Sequence, residues 1–336
     1  MSNLKSVGNY AVKVLLSVLL GGAILYWMYR GFDFSQMERA MRDDMDWTWM
    51  LMSLPFGILA QMFRGWRWHL SLDPIGEHAR HSTSVNAVFL SYAVSLLIPR
   101  MGEVVRCAVL KRWDKVSFSK AIGTVVTERV IDSLLVMLIT VAVFLCQIPV
   151  FMTFFDKTGT SFDNTISKFT TEGWIVTAVC ALTVIGLLVY LMRRLSIYEK
   201  VKTTFLGVWE GVTSLKKVSH PWLFAFYTVG IWLSYFLHYY LTFFCFKETS
   251  TLGIMSVLVT FIVGSIAVIV PTPNGAGPWH FAVKTMLILY GISSSVALNF
   301  VLIVHTVQTL LVVLLGFWAW AALSMTSKKA EPARND

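Results

Sequence analysis

The sequence has few charged residues. Asp, Glu, Lys and Arg make up only 14% of its 336 residues, against about 25% in an average soluble domain. Hydrophobic residues make up 56%, more apolar surface than a water-soluble fold can bury. A chain that crosses the bilayer must satisfy its backbone internally, which helices do. We therefore predict an all-α, polytopic membrane helix bundle with about 6 to 8 spanning helices plus re-entrant or discontinuous helices.

Cysteine is also scarce, and the usual catalytic motifs do not occur. Cys107, Cys146, Cys180 and Cys245 stand far apart, without the spacing of a metal site or a disulfide framework. There is no nucleophile elbow, HExxH or Gly-rich phosphate loop, and the GAG at 275–277 is too short to bind a nucleotide. We predict no metal, no cofactor and no enzymatic activity.

The chain is basic, with a formal net charge of +9. In a soluble protein such a charge suggests nucleic acid as a partner. Here the basic residues occupy short stretches between apolar runs, where they orient helices and attract anionic lipid head groups. The sequence therefore predicts membrane lipids, and no nucleic acid, as partners.

Apolar runs define a single integral membrane domain over residues 1–323, followed by a basic tail at 324–336. Runs long enough to cross a bilayer, about 20 residues, lie at roughly 10–29, 47–63, 121–147, 173–192, 221–246 and 295–323. Residues 83–98 are shorter and end at Pro99, which predicts a re-entrant segment. Residues 253–291 are interrupted at PTPNGAGP, which predicts a broken helix pair.

The distribution of Lys and Arg predicts the topology. With the N-terminus inside and 83–98 re-entrant, 20 of the 28 basic residues lie in cytoplasmic segments and 6 outside. Short cytoplasmic loops hold such an excess. We predict a multi-pass protein of the cell inner (plasma) membrane with both termini in the cytoplasm.

One cytoplasmic segment is amphipathic. Between 203 and 217, apolar residues recur at helical spacing next to basic clusters, which indicates a helix on the anionic inner leaflet. An ordinary connecting helix packed on the bundle has the same periodicity, so both interpretations stand.

The first group of candidate site residues follows the re-entrant segment. Arg100, Glu103 and Arg106 come directly after Pro99, and Gly102 permits close approach of backbone or ligand. Arginine forks suit a phosphate group. Alternatively, the two arginines are ordinary positive charges of a cytoplasmic loop.

The second group lies inside a long apolar span. Glu128, Arg129 and Asp132 fall within one turn of a helix, and Glu128 and Asp132 share a face. An Arg or Asp at the centre of a bilayer costs about 2.5 to 3.5 kcal/mol on insertion scales, so these groups are expected to face the interior and pair. We predict that they converge with Glu103 and Arg106 on one buried cluster. A purely structural ion network is the alternative.

The third group lies in the interruption PTPNGAGP at 271–278, called the break below. Pro271, Pro273, Gly275 and Gly277 interrupt the apolar region, and a half-helix beginning near Pro278 would aim N–H donors at an anionic head group. His280 follows at once and is the polar residue nearest this helix start. We predict that these five residues contribute to substrate binding, and that the stretches from Pro99 to Arg106 and from Pro271 to His280 form opposite walls of one cavity.

At these motifs the sequence resembles the flippase-like family named after the lysylphosphatidylglycerol synthase membrane region. Members carry a P-x-R-x-G-E-x-x-R-like stretch, an E-R-x-x-D and a late P-T-P-G-G-x-G. The three stretches of this chain match, with one residue fewer between Pro99 and Arg100. It departs at Asn274, where Gly is usual, and at His280, where many members have Glu.

The resemblance implies a lipid flippase-like membrane protein without a synthase domain. We predict that it moves an anionic, zwitterionic or polyprenyl-linked lipid between leaflets, with Arg100, Arg106 and Arg129 receiving the phosphate. The acids would hold those arginines or accept a cationic head group. Two alternatives remain: a membrane enzyme on a lipid-linked substrate, with Glu128 or Asp132 as base or metal ligand, and a non-catalytic partner. A separately encoded lipid-modifying enzyme and a homo-oligomer are left open as partners.

Overall fold

The computed structural model describes residues 2–99, 101–157, 218 and 220–330, and all regular structure in these ranges is helical. The α-helices are α1 (Ser2–Tyr29), α2 (Phe34–Arg39), α3 (Trp47–Leu72), α4 (His81–Leu97), α5 (Met101–Asp114), α6 (Phe118–Lys157), α7 (Pro221–Tyr240), α8 (Ile254–Ala267), α9 (Pro278–Leu289) and α10 (Ser294–Ala330). The all-α prediction is confirmed. Arg100, the predicted span at 173–192 and the amphipathic segment at 203–217 lie outside the described residues.

Short helices of other types connect some of these elements. A π-helix follows α2 directly, and 3-10 turns lie after α3, after α7 and in the break between α8 and α9. They cover Ala40–Asp44, Asp73–Ile75, Leu241–Cys245, Thr249–Thr251 and Pro273–Gly275. The break at 268–277 is thus a short 3-10 turn between two helices.

Two helices of the described residues are long and apolar enough to cross a membrane, over Phe118–Ile148 and Ser294–Thr326. Leu15–Tyr29 and Ile254–Ala267 are shorter apolar stretches. With 17, 14 and 12 residues, α4, α8 and α9 measure about 25, 21 and 18 Å, less than the hydrocarbon thickness of about 30 Å. The number of spanning helices and the re-entrant segment stay predictions.

Helix α3 is longer than its predicted span. The apolar run predicts a span that ends at residue 63, with Arg64 and Arg67 in the loop that follows. Instead the helix continues to Leu72, and both arginines are buried inside it. The physical reason is that no proline occurs between residue 63 and Pro74, while Gly65 fits closely against Val85 of α4. Two basic residues counted as cytoplasmic loop charges therefore lie in the protein interior.

Contacts divide the chain into two compact units, residues 1–126 with 217–336 and residues 127–216. In the first unit α3 packs on α7 and α4, α4 packs on α5 and α10, and α8 to α10 pack in succession. Its core has an aromatic part around Phe243, Phe246 and Phe300, and a second part around Trp68 and Leu110. The described residues of the second unit belong to α6.

The connection between α3 and α4 is fixed by a charged clamp to the start of α6. The Glu77 carboxylate accepts a hydrogen bond from the Ser117 amide (2.9 Å) and forms an ion pair with Lys120 (2.8 Å). The hydrogen bond from Lys120, then that from Ser117, lowers the pKa of Glu77 below its ordinary value. The charged form of Glu77 therefore favours the folded state.

We expect Glu77→Gln to lower the melting temperature of the detergent-solubilised protein slightly at pH 7. Because the pKa of Glu77 is lowered by folding, its contribution is present above the unfolded-state pKa and is lost as the pH falls through the folded-state pKa. Melting curves between pH 3 and 8 should therefore converge for both proteins at acidic pH. The exposed Glu38→Gln is the control, and an equal effect of both substitutions would contradict the clamp.

Candidate functional site

The first candidate segment is a turn between two helices. Helix α4 ends at Leu97, Pro99 follows, and α5 begins at Met101. A side chain at Gly102 would collide with the Ser91 carbonyl oxygen and the Ser95 hydroxyl of α4. Glycine is therefore required here by the close approach of α4 and α5.

Arg106 lies one turn further along α5 and is buried, with 2% of its surface exposed. Its guanidinium stands 4.6 Å from the ring of Trp68, which is fully buried. The Trp68 indole donates to the Thr124 hydroxyl (2.9 Å). An arginine over a desolvated tryptophan is stabilised by about 2 kcal/mol. Arg106 is therefore not an exposed loop charge, whereas Glu103 beside it is half-buried.

Two further buried arginines were missed by the sequence analysis. Arg67 donates to the Thr228 hydroxyl (3.3 Å) and lies 5.6 Å from the ring of Phe224, both on α7. Arg64 lies 5.9 Å from the ring of Tyr235. Their i, i+3 spacing puts them on one face of α3. The helical register continuing without a breaker beyond residue 63 was the signal that could have found them.

Two tyrosines continue this polar region. The hydroxyl of Tyr235, under Arg64, is hydrogen bonded to that of Tyr92 on α4 (2.8 Å). Arginine from α3, tyrosine from α7 and tyrosine from α4 thus form a connected chain inside the first unit. We call Arg64, Arg67 and Arg106 the arginine group.

The second candidate segment, Pro271–His280, is a break between α8 and α9. Asn274, Gly275 and Gly277 have positive φ angles of 52°, 70° and 92°. A side chain at Gly277 would lie 2.8 Å from the Gly21 carbonyl oxygen of α1, so the break and α1 are in close contact. Pro273 begins the 3-10 turn, Pro271 is exposed, and α9 begins at Pro278 as predicted.

The structure explains why Asn274 can stand where the family pattern has glycine. Its backbone is left-handed, a conformation that asparagine tolerates better than other residues with a side chain. Its amide nitrogen also donates to the Thr309 hydroxyl on α10 (2.8 Å), a bond that glycine lacks. Asparagine therefore keeps the turn and ties it to α10.

Two histidines lie against this break. The Gly277 amide donates to Nδ1 of His280 (3.4 Å), and the rings of His280 and His305 are 4.4 Å apart. Nε2 of His305 lies 3.1 Å from the Asn274 carbonyl oxygen, which only accepts, so Nε2 carries the proton. His280 is buried, with 3% of its surface exposed, and the Gly277 amide of the preceding turn fixes its ring.

Helices α4 and α10 run antiparallel. Arg80, which precedes α4, donates to the carbonyl oxygen of Trp113 (3.4 Å), and the Trp113 indole donates to that of Leu323 on α10 (2.8 Å). Further along α4, Ala93 contacts Gly316, which comes earlier in α10. The end of α4 therefore lies nearest the middle of α10.

This direction brings the two candidate segments together. Asn274 is bonded to Thr309, about two turns before Gly316, and the 273–275 turn contacts α4. The break between α8 and α9 thus lies beside the end of α4 that leads to Pro99. That the two segments enclose one cavity stays a prediction.

The third candidate group lies on α6, in the second unit. Glu128 and Asp132 are buried, with 1% and 6% exposed. Arg129 is half-buried and forms an ion pair with Asp132 over 3.6 Å. The predicted pairing inside this group is thus present for Arg129 and Asp132. Its convergence with Glu103 and Arg106 stays a prediction.

A family model described as "Lysylphosphatidylglycerol synthase TM region" matches residues 14–316. The chain belongs to this family. No curated protein and no solved structure gives a significant match. Membership confirms the resemblance stated from the motifs and, with the apolar helices, identifies a membrane protein related to lipid modification.

The packing at Gly102 gives a test of the first segment. We expect Gly102→Ala to destabilise the protein by about 1 to 3 kcal/mol, because the added methyl group overpacks the contact of α5 with Ser91 and Ser95. Gly123→Ala on α6 is the matched control, since its new methyl group meets open space and helix propensity favours alanine. Thermal unfolding in detergent measures both, and equal melting temperatures would contradict the close contact.

Proposed function

We propose that this protein is a flippase-like lipid translocase that moves an anionic, zwitterionic or polyprenyl-linked lipid between leaflets. The observation that carries the proposal is the arginine group, three guanidinium groups buried at 0 to 3% exposure in a protein of a lipid-related membrane family.

Buried arginines are expensive. Each costs about 2.5 to 3.5 kcal/mol at the centre of a bilayer, and such residues usually mark substrate or ion pathways. If these positions only had to pack against aromatic rings, leucine or phenylalanine could be buried there at a lower free-energy cost. Retaining three guanidinium groups on α3 and α5 therefore supports an anionic ligand.

The chemistry of the arginine group suits a phosphate. A guanidinium offers five N–H donors in a planar fork and loses less hydration on burial than an ammonium. Trp68, Phe224 and Tyr235 place aromatic rings 4.6 to 5.9 Å from the guanidinium groups, which stabilises these cations away from water. A lipid phosphate is the membrane anion that fits this donor pattern.

The break before α9 complements the arginines. A helix N-terminus carries unsatisfied N–H groups and a partial positive charge. Broken helices near the bilayer midplane build substrate sites in many transporters. In our proposal a phosphate passes between the end of α4 and the start of α9, past Gly275, Gly277 and His280, while its acyl chains stay in lipid.

Substitution at Arg106 tests this function. We expect Arg106→Met to slow the movement of a fluorescent phospholipid in proteoliposomes at least tenfold, since one charge-assisted phosphate contact contributes about 1.5 to 3 kcal/mol. Arg106→Lys keeps the charge but loses the planar fork, so we expect an intermediate rate.

The control is Arg112→Met, the same change on α5 at an exposed arginine that also lies over a tryptophan. Melting temperature is measured on every variant. If Arg106 has only a structural role, its substitution should cause misfolding and not slow transport by a folded protein. Normal transport by a well-folded Arg106→Met protein would rule out the phosphate role.

Glycine substitutions in the break report on packing as well as on transport. At Gly277 a side chain meets the α1 backbone and needs a left-handed conformation, so Gly277→Leu is expected to unfold the break. At Gly275 a side chain also needs a left-handed conformation, but the nearest atom belongs to the Val268 side chain, which can move. Gly275→Ala is therefore the better probe of steric blockage.

The membrane orientation is part of the proposal and has its own test. A membrane-impermeant thiol reagent applied from outside should label Arg42→Cys, in the predicted outer segment, but neither His78→Cys nor Lys111→Cys. All three positions are exposed, and the wild-type protein gives the background of native cysteines. Efficient outside labelling at 111 would mean that residues 83–98 cross the membrane completely.

A further inference from the structure

A groove of about 460 Å³ lies between α3, α4 and α10. On α3 it is lined by Ile58, Met62 and Trp66, whose i, i+4, i+8 spacing puts them on one face of the helix. Arg64 and Arg67 lie on another face, towards the rings of α7. The groove is therefore on a different side of α3 from these two arginines, and its volume is in the range of small-ligand sites, about 300 to 1,000 Å³.

The groove begins at the connection between α3 and α4. The rings of His69 and His81 are 3.8 Å apart, and Gly65 fits closely against Val85, so α3 and α4 run antiparallel. Ile58 comes seven residues before Gly65 and therefore lies about 10 Å further from the connection than Val85, at a rise of 1.5 Å per residue. The groove thus extends from the connection towards the middle of both helices.

Side chains change from polar to apolar along the groove. At the end near the connection, the lining residues are His81, Ser82 and Asn86, which carry hydrogen-bond donors. Apolar side chains of all three helices line the far end, namely Ile58, Met62, Phe89 and Leu315. A groove with one polar and one apolar end fits an amphiphilic molecule.

The length of the groove fits one leaflet of a bilayer. On α10, Leu315 adjoins Gly316, which contacts Ala93 of α4. Ala93 comes twelve residues after His81, so the two ends of the groove are about 18 Å apart along α4. One leaflet contains about 15 Å of hydrocarbon, half of the bilayer core of about 30 Å, with the head groups beyond it. The two ends therefore fit the head group and an acyl chain of one phospholipid.

The polar end favours an anionic head group. None of the described residues that line the groove is acidic. The carboxylates at the connection already have basic partners, since Asp114 accepts from the amide and the guanidinium of Arg80 (2.8 and 2.7 Å) and Asp73 lies 3.5 Å from Nδ1 of His78. Helix α4 begins at His81 without a side-chain cap, and a helix start carries N–H donors and a partial positive charge. A phosphate therefore finds a favourable potential here, whereas the choline of a zwitterionic lipid finds no carboxylate in the lining.

We infer that this groove binds one anionic phospholipid of the cytoplasmic leaflet, with its phosphate at the start of α4 and an acyl chain between Ile58 and Leu315. Trp66 adjoins Gly65 and so lies near the polar end, as tryptophan does at the head-group level of many membrane proteins. The connection between α3 and α4 belongs to a predicted cytoplasmic segment. This lipid is a bound partner and not the transported lipid, so the inference goes beyond the proposed translocation.

Native mass spectrometry of the purified full chain in detergent tests the inference, because it counts the lipids bound to each molecule. Dioleoyl phosphatidylglycerol and dioleoyl phosphatidylcholine have the same acyl chains and differ in head-group charge. We expect the first phosphatidylglycerol to bind about fivefold more tightly, the effect of one charge pair at a partly exposed position. Glycerophosphoglycerol has the head group without acyl chains and should not compete. Effective competition by it would indicate a site for a free phosphate and would overturn the inference.

Ser82→Glu puts a negative charge at the polar end. Ser82 is exposed and is the second residue of α4, where an acidic side chain favours the helix, so we expect the fold to be retained. Because glutamate repels an anionic phosphate, the preference for phosphatidylglycerol should be lost. Ser119→Glu is the matched control, since Ser119 is also exposed, is the second residue of α6 and does not line the groove.

Trp318→Ala tests the contact with the acyl chain. Trp318 is 67% exposed and lines the groove, whereas Trp320 on the same helix is 63% exposed and does not. We expect Trp318→Ala to weaken the binding of the first lipid of either kind, and Trp320→Ala to leave it unchanged.

Three results would overturn the inference. They are equal affinity of the wild-type protein for both lipids, an unchanged preference in a folded Ser82→Glu protein, and loss of a dimer in place of bound lipid in Trp318→Ala. The last result would identify a second copy of the chain as the occupant of the groove, and the same spectra report it. None of these measurements depends on lipid transport, which the Arg106 variants test separately.

Discussion

Polar groups that enter the membrane must find their partners inside the protein, and the rest of this structure follows from that constraint. Helix α3 shows it most clearly. Its two arginines lie on one face, and their guanidinium groups meet the aromatic rings and a hydroxyl of α7. Arg106 of α5 meets Trp68 of the same helix. The high aromatic content, 14% of the chain, thus serves in part to receive cations without water.

Backbone groups in the break also find hydrogen-bond partners inside the protein. The amides of Thr272, Gly275 and Ala276 donate to carbonyl oxygens within the turn, and that of Gly277 donates to His280. Proline has no amide to satisfy, which suits the positions between them. The break is therefore an ordered structure with its own hydrogen bonds. Its left-handed residues allow α9 to start close to the end of α8 without leaving these donors exposed.

The sequence predicted what depends on local pattern. Helical class, the start of α9 at Pro278 and the end of α4 before Pro99 all follow from apolar runs and proline positions. Arg64 and Arg67 were predicted in a loop because a charged residue next to an apolar run fits the end of a helix as well as a buried position within one. The buried position depends on the aromatic rings of α7, some 160 residues away in the chain.

Helix α10 connects the regions described above. Along this one helix, Asn299 is buried near the start, His305 and Thr309 are hydrogen bonded to the break before α9, and Gly316 contacts α4. The rise of 1.5 Å per residue puts His305 about 9 Å beyond Asn299 along the axis. Because one continuous helix carries both the Thr309 bond to the break and the Gly316 contact with α4, it fixes their separation at about 10 Å along its axis.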